Sequence, residues 1–416
     1  MAKKCKVQIT QEGAKTMLDD LFVLHREVMH STGVTFKRYL YDQINWDAQA
    51  ICITGDRGVG KTTLMCQRFL EYYKTVERAL YISADNVVVA GKGLFLIAQE
   101  FFSDGGECLF IDEVHKYPNW AQEIKNIVDT YKRGKVVFSA SSSVNLLQSK
   151  ADLSRRVVYH KLLGLSFREF IYHTTKINLP TYSFSDILQN HVKIAEEMES
   201  IKILKMFKEY LSHGYYPFFH EGLSDYLSKL NNVIEKVIFE DIAVVHNLRQ
   251  TTLPVLKKLL WLVATTNGLT PNIDGISSSM GTSREIIYNC LDYLGHSGLL
   301  QNVYPQAEGM KLIRKPGKIF LNNTNLLHAI NGSLKRDTGV GGARETFFVN
   351  QVAPFHRVDT HPETDFVVDN HYIIEVGGKG KDYNQIKDMK NSFLAVDAVA
   401  IGYRNKIPLY LFGFLY

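Results

Sequence analysis

The chain has 416 residues, 45% hydrophobic and 22% charged, with a net charge of +5. That composition is too apolar for a disordered chain, and the length suits two or three domains. Five scattered cysteines (Cys5, Cys52, Cys66, Cys108, Cys290) with no C-x-x-C pair indicate neither a disulfide frame nor a zinc site. No apolar run has the length of a membrane span, and the lysine-rich start Met1–Lys6 leads into no signal-peptide core, so a cytoplasmic protein with no membrane partner is expected.

Residues 1–48 read as amphipathic helix, Gly13–Met29 carrying Leu and Phe at helical spacing, followed by the approach Lys37-Arg38-Tyr39-Leu40-Tyr41. An apolar strand, Ala50–Thr54, then breaks into a glycine-rich loop. The spacing Gly55, Gly60, Lys61, Thr62 is that of a P-loop, whose inward amide groups cradle the phosphates of ATP. Gly55, Asp56, Arg57, Gly58, Val59, Gly60, Lys61, Thr62 and Thr63 are the expected nucleotide-binding residues. Lys61 reaches the β- and γ-phosphates, the Thr62 hydroxyl holds Mg²⁺, and the helix starting at the lysine adds its dipole. The plain alternative is a glycine turn at a strand end.

A second strand (Ala79–Ser83) and a helical run (Gly93–Phe102) lead to a third strand that ends in Asp112-Glu113, as a Walker B motif does. Asp112 would hold the metal, and Glu113 would orient and deprotonate the attacking water. A solvated strand end is the competing reading of those two acids. A strand between the two motifs, together with a glutamate beside the aspartate, marks the ATPase branch in which a carboxylate activates water, giving ADP and phosphate. After a helix (Asn119–Tyr131), the fourth strand (Lys135–Ser139) ends in serines. Ser139 and Ser141 are the best placed to sense a γ-phosphate, or else cap the next helix. Arg155 and Arg156 precede a fifth strand, Val157–Leu162, where ring ATPases project an arginine finger into a neighbouring subunit. Arg156 is the better placed, a solvated edge is the alternative, and a homo-oligomer would follow from the finger.

Gly55-Asp-Arg-Gly-Val-Gly-Lys-Thr-Thr63, Asp112-Glu-Val-His-Lys-Tyr-Pro-Asn-Trp120, Ser139-Ala-Ser-Ser-Ser143, Asp152-Leu-Ser-Arg-Arg156 and Gly164-Leu-Ser-Phe-Arg-Glu-Phe170 together resemble the prokaryotic AAA-type ATPases. In that family a short P-loop ATPase domain precedes a winged helix and a restriction-endonuclease-like domain. The likeness extends to His213-Gly-Tyr-Tyr-Pro217. It implies ATP binding by the loop and hydrolysis with Glu113, and it implies no pathway. The run Asp112-Glu-Val-His115 also resembles DEAH helicases, but nothing after residue 170 reads as the second RecA-like domain a helicase needs.

The expected fold is α/β: a parallel P-loop sheet of the AAA type with helices on both faces, then a helical and winged-helix region, then a small nuclease-like α/β domain. The corresponding boundaries are an N-terminal helical segment 1–48, an ATPase domain 49–170, a helical region 171–250 that is a candidate lid, a winged-helix module 251–325 and a nuclease-like domain 326–416. In the helical region Ile194–Leu211 and Leu223–Asp241 carry apolar residues at helical spacing; core-forming helices are the plain reading. In the winged-helix module Arg284, Tyr288 and Asn289 would face a major groove, with Lys311, Arg314, Lys315 and Lys318 on phosphates. That second helix is thinly basic, and a packing module is the equal alternative.

Glu345, Asp365 and Glu375 are spaced like the metal-binding acids of the restriction-endonuclease fold, on a helix and a hairpin turning at Asp369-Asn370. Gly377 occupies the position where that fold places a lysine, and Lys379 or Lys381 is too loosely tethered to replace it well. The fold is expected to be kept and cleavage lost. The leading functional reading is an ATPase that couples nucleotide state to movement of the later domains. A slow nucleotide-gated switch binding double-stranded DNA or a protein, and an ATP-dependent nuclease, are the alternatives.

Overall fold

The strands around the P-loop are near-continuous apolar runs, as strands covered on both faces must be. Cys108–Asp112 (β3) is buried throughout; Ala50–Gly55 (β1) and Lys135–Ser141 (β4) are buried at all but one position each. With Ala79–Ser83 (β2) and Val158–Lys161 (β5) they form an all-parallel sheet ordered β2-β3-β4-β1-β5. The strand standing between β1 and β3 in space is therefore β4. The strand between them in the chain, β2, lies at the sheet edge. The structure, a computed structural model, describes residues 17–33, 36–141, 153, 155–266, 268–306 and 315–416. Gly13, Cys5, Ser142, Ser143, Asp152, Ser154, Lys311 and Arg314 lie outside the described residues, and so do the readings placed on them.

Helices cover both faces of this sheet. One face packs Leu18 and Leu21 of the helix Met17–Ser31, Ile97 and Phe101 of Leu94–Ser103, and Ile124 and Ile127 of Trp120–Thr130. The other face packs Leu64 and Met65 of the P-loop helix Lys61–Arg68, and its apolar core runs on without a break into the second half of the chain. Phe167 stands at the crossing, ring against ring with Phe207, Tyr210, Tyr410 and Phe414. The boundary expected at 170 is thus a packed seam. The helix Phe167–Thr175 starts at a Ser166/Glu169 capping box, and Ser166 Oγ and Arg168 Nε both donate to the carbonyl of Tyr416, at 2.8 and 3.0 Å.

The second half begins with the helices Phe184–Glu196, Ile203–His213 and Leu223–Lys236. The last continues as a single π-helical turn, Val237–Ile242. Three more helices, Leu253–Ala264, Ile273–Met280 and Arg284–His296, precede a small antiparallel pair, Leu300–Val303 (β6) and Lys318–Leu321 (β7). Arg284 pairs with Asp274 on the neighbouring helix, and Tyr288 is exposed.

The C-terminal sheet joins Val358–Thr360 (β8), Phe366–Val368 (β9), Tyr372–Gly377 (β10), Ser392–Val396 (β11) and Lys406–Pro408 (β12), in the order β12-β11-β10-β9-β8. β9 and β10 form the expected hairpin, with Tyr372 opposite Val368. Asp369 and Asn370 have φ of +52° and +56°, the left-handed pair a tight hairpin turn requires and these residue types tolerate. Cys52, Cys66, Cys108 and Cys290 are buried free thiols. Among the described residues no helix is long and apolar enough to cross a membrane.

Candidate functional site

In an all-parallel sheet every strand delivers its carboxyl end to one rim, and ligands bind in the crevice there. β1 ends at Gly55 beside Ser141 of β4, and β3 ends at Asp112 beside Ser83 of β2. Between Gly55 and the helix at Lys61 the loop turns through Gly58 (φ +88°) and Gly60 (φ +100°), a conformation that side chains other than glycine rarely take. Lys61 is buried, and its Nζ donates to the carbonyls of Gly55 (2.9 Å) and Asp56 (3.1 Å), arching over its own loop. A phosphate oxygen is the stronger acceptor for that ammonium, and the exchange needs only side-chain rotation.

The loop is braced from behind by a buried ion pair. Arg38 donates to Val59 O (2.6 Å) and to the carbonyls of Leu163 and Gly164 (2.8 Å each), and its guanidinium meets the Glu169 carboxylate at 3.0 Å. Burial opposes the charge on Arg38, and Glu169 more than restores it, so the guanidinium ends above its ordinary value. Phe218 roofs the loop: a Cβ at Gly58 would stand 3.0 Å from its ring. Asp56 accepts from Asn322 Nδ2 at 2.7 Å, and a Cβ at Gly298 would fall 2.0 Å from Asp56 Oδ1, so that glycine admits the carboxylate.

Asp112 meets four donors. Thr62 Oγ1 (2.6 Å) and Tyr81 OH (2.9 Å) donate to Oδ2; Ser139 Oγ and the Glu113 amide (3.1 Å) donate to Oδ1. Burial and the neighbouring Asp112 push the Tyr81 phenol up, so it stays a donor. A hydroxyl and a carboxylate in contact beside an anion-binding loop are the hard oxygen donors Mg²⁺ selects. Thr62 and Asp112 fit that ion, the rest of its shell falling to phosphate and water.

Glu113 has φ +52°, and its amide is pinned by Ser139 Oγ at 2.9 Å as well as by Asp112. Its carboxylate lies 3.5 Å from His115 Nε2, 3.9 Å from Lys116 Nζ and 4.0 Å from Arg57. Burial, then the charges of Lys61, Lys116 and Arg57, push the His115 imidazole down to about 3, so it is neutral. Its Nδ1 accepts from the Ser141 amide at 3.4 Å, which leaves the proton on Nε2, facing Glu113.

The loop residues, Lys61, Thr62, Thr63, Asp112 and Glu113 thus share one rim. Ser141 reaches it through its backbone, while Ser139, read as a phosphate sensor, instead fastens Asp112 and Glu113. Arg155 and Arg156, expected to project into a neighbouring subunit's nucleotide, lie away from the rim of their own chain. They precede the start of β5, whose Val158 pairs with Ile51 at the opposite end of the sheet, and Arg156 is bound to Asp129 at 2.8 Å. Tyr81, Arg38 and Asp241 carried no motif, and His115 only its place in the Asp112-Glu-Val-His115 run: their partners are set by strand register and by contacts up to 184 residues apart in the chain.

The C-terminal acids also converge, but on lysines. Lys318 Nζ lies 2.8 Å from both Glu345 and Asp365, and Lys381 Nζ lies 2.5 Å from Glu375. Lys318, expected on a phosphate if the winged-helix module binds DNA, is the counter-ion of this centre. Burial opposes its charge, but Glu345 and Asp365 hold the ammonium above its usual range. Lys381 also packs over Gly377, where a Cβ would stand 2.8 Å from its stem. Among the described residues no group of three or more His, Cys, Asp or Glu side chains is disposed to hold a metal ion.

The rim and the parallel sheet together define an AAA-type, nucleotide-binding P-loop ATPase domain. Residues 47–171 match a family described as AAA domain. Residues 204–337 match a domain of unknown function, DUF8612, a segment that runs across the boundaries expected at 250 and 325. The uncharacterized protein MJ1637 of Methanocaldococcus jannaschii is 26% identical over 306 residues, which is 68% of this chain and 64% of that protein. The chain therefore matches slightly less than two thirds of that relative's length. Among solved structures, AMPPCP-bound DnaA from Aquifex aeolicus is 17% identical, covering 67% of this chain and 91% of its own at a TM-score of 0.27. A DNA replication initiation factor is 16% identical, covering 64% and 84%, at a TM-score of 0.26. Likenesses that weak say nothing about the role of this chain.

Proposed function

We propose that this protein hydrolyses ATP to ADP and phosphate and transmits its nucleotide state to the second half of the chain. One observation carries the reading: Lys61, Thr62, Asp112 and Glu113, from two strands separated by a third, meet at one rim, with Thr62 and Asp112 2.6 Å apart. The loop amides and Lys61 bind the triphosphate. Mg²⁺, held by Thr62 and Asp112, would supply the positive charge that phosphoryl transfer needs. Glu113 takes the proton from the attacking water, and its amide, pinned by Asp112 and Ser139, holds it beside the metal-binding carboxylate.

Coupling is supported by contacts that cross from the loop into later segments: Asp56 to Asn322, Arg57 to Asp241, and Gly58 under Phe218. A nucleotide that reshapes the loop must move all three. The lysine-filled C-terminal centre supports an interaction or structural role there rather than phosphodiester cleavage. Release of phosphate from Mg·ATP tests the proposal. The parent should turn over, and Glu113→Gln should bind ATP while turning over about 10²-fold or more slower, the usual contribution of a general base. Equal rates for the two would remove Glu113 as the base.

A further inference from the structure

Arg57 is half-buried between charges of one sign. Its guanidinium lies 3.2 Å from Asp241, 3.9 Å from Glu240 and 4.0 Å from Glu113, and its Nε has no hydrogen-bond partner. Asp241 is 5% exposed, and its Oδ2 is likewise without a partner. Burial pushes the Asp241 carboxyl up and Arg57 pulls it back. The carboxylate sits on the π-helical turn Val237–Ile242, an irregularity that costs helix hydrogen bonding and recurs where a side chain must be aimed. A largely buried, incompletely hydrogen-bonded ion pair is a poor device for stability. It is a good one for holding a guanidinium beside a site that fills with anion.

The position is apt. Arg57 lies two residues after Gly55 in the glycine-rich loop, with its guanidinium 4.0 Å from the Glu113 carboxylate. The attacking water, and hence the γ-phosphoryl group, must lie beside that carboxylate. Arg155 and Arg156, at the far end of the sheet, cannot serve the loop of their own chain.

We propose that Arg57 is the arginine that neutralises the γ-phosphoryl group in the transition state, supplied in cis from the loop itself, with Asp241 as its positioning residue. This rests on the ATP-hydrolysis reading above. Water attacks the γ-phosphorus and gives its proton to Glu113. The bond from that phosphorus to the oxygen bridging to the β-phosphate breaks, and the oxygen keeps the electron pair as ADP leaves. The Arg57 guanidinium offsets the charge that grows on the γ-oxygens and the bridging oxygen. Because Asp241 belongs to the second half of the chain, the same guanidinium ties the chemical step to the 237–242 turn.

The test uses the full chain, with phosphate release for turnover and a fluorescent ATP analogue for binding. Arg57→Ala should lower kcat about 10³-fold, the scale of a transition-state arginine, with analogue affinity within about 3-fold because the loop amides remain. Arg57→Lys should recover little, since a point charge lacks the planar fork. Asp241→Asn should lower kcat about 10-fold or more at unchanged KM, the signature of an interaction made only in the transition state. Mixing Arg57→Ala with Lys61→Ala protein should not restore turnover. Parental kcat in Arg57→Ala, equal losses in kcat and binding, or restoration on mixing would each overturn the proposal. No phosphate release from the parent would overturn the hydrolysis reading and this inference together; a parent that turns over while Arg57→Ala matches it would sink this inference alone.

Discussion

Two places in this molecule bring carboxylates from strands to meet basic side chains, and they are finished differently. At the P-loop rim the basic groups are bound to neutral or surplus partners: Lys61 to two backbone carbonyls, and Arg57 to acids with one of its nitrogens left over. At the C-terminal centre three acids close on two ammonium groups at 2.5–2.8 Å, Glu345 and Asp365 sharing Lys318. The first arrangement has positive charge to offer an anion. In the second both cations are already engaged by carboxylates. Spacing of acids along a chain identifies a fold position, whereas the counter-charges decide whether that position does chemistry.

Removing each lysine breaks this comparison most sharply. Lys61→Ala should abolish nucleotide binding and lower phosphate release by about 10³-fold or more. Lys318→Ala should leave phosphate release within about 2-fold, because its ammonium is bound to Glu345 and Asp365 rather than to the rim residues. If the two losses were alike, the C-terminal lysine would belong to the catalytic apparatus and the contrast would fail.

A stability measurement sharpens it next. Lys318→Ala leaves Glu345 and Asp365 facing one another, part-buried and without a cation; breaking such a pair costs about 2–4 kcal/mol, read as a lower Tm. Burial, then the neighbouring Asp365, already pushes the Glu345 carboxyl up. A divalent cation replaces the lost charge, so millimolar Mn²⁺ should raise the Tm of Lys318→Ala and leave that of the parent unchanged. An equal Mn²⁺ response in both would mean that the lysine does not occupy the cation position.

A smaller effect comes from histidines buried without charge. Burial pushes His25 down to about 4 and His115 down to about 3 from the ordinary 6.5. Between those values the unfolded chain holds the extra protons, so the stability they contribute is complete above pH 6.5 and falls as the pH drops towards 4. The loss is on the order of 2 kcal/mol per histidine by pH 5. His25 accepts the Tyr81 amide at 2.9 Å, and His25→Asn, which can keep that acceptor, should flatten the decline of Tm between pH 7.5 and pH 5. An unchanged slope would assign the acid sensitivity elsewhere.

The smallest effect is expected at the far end of the sheet. Arg156→Ala removes a partly exposed ion pair with Asp129, worth at most about 1 kcal/mol, and should leave kcat unchanged. A large, concentration-dependent loss of turnover would instead place Arg156 in a neighbouring subunit's site.

By itself the sequence determined what is local. A glycine-rich loop between an apolar strand and a helix closes on its own backbone, so its residues are legible in a run of nine, and Asp112-Glu113 follow from a strand that must end at the same rim. The Asp369-Asn370 turn was legible for the same reason, two adjacent residues tolerating positive φ. Only the tertiary structure decided what stands opposite. Tyr81 and Ser139 reach Asp112 because β2 and β4 flank β3, an order the chain does not spell out. Asp241 meets Arg57 across 184 residues, and Lys318 reaches Glu345 and Asp365 from another sheet. Backbone conformation is set by neighbours along the chain. Charge compensation is set by whatever packing brings within a few ångströms, and no spacing rule contains it.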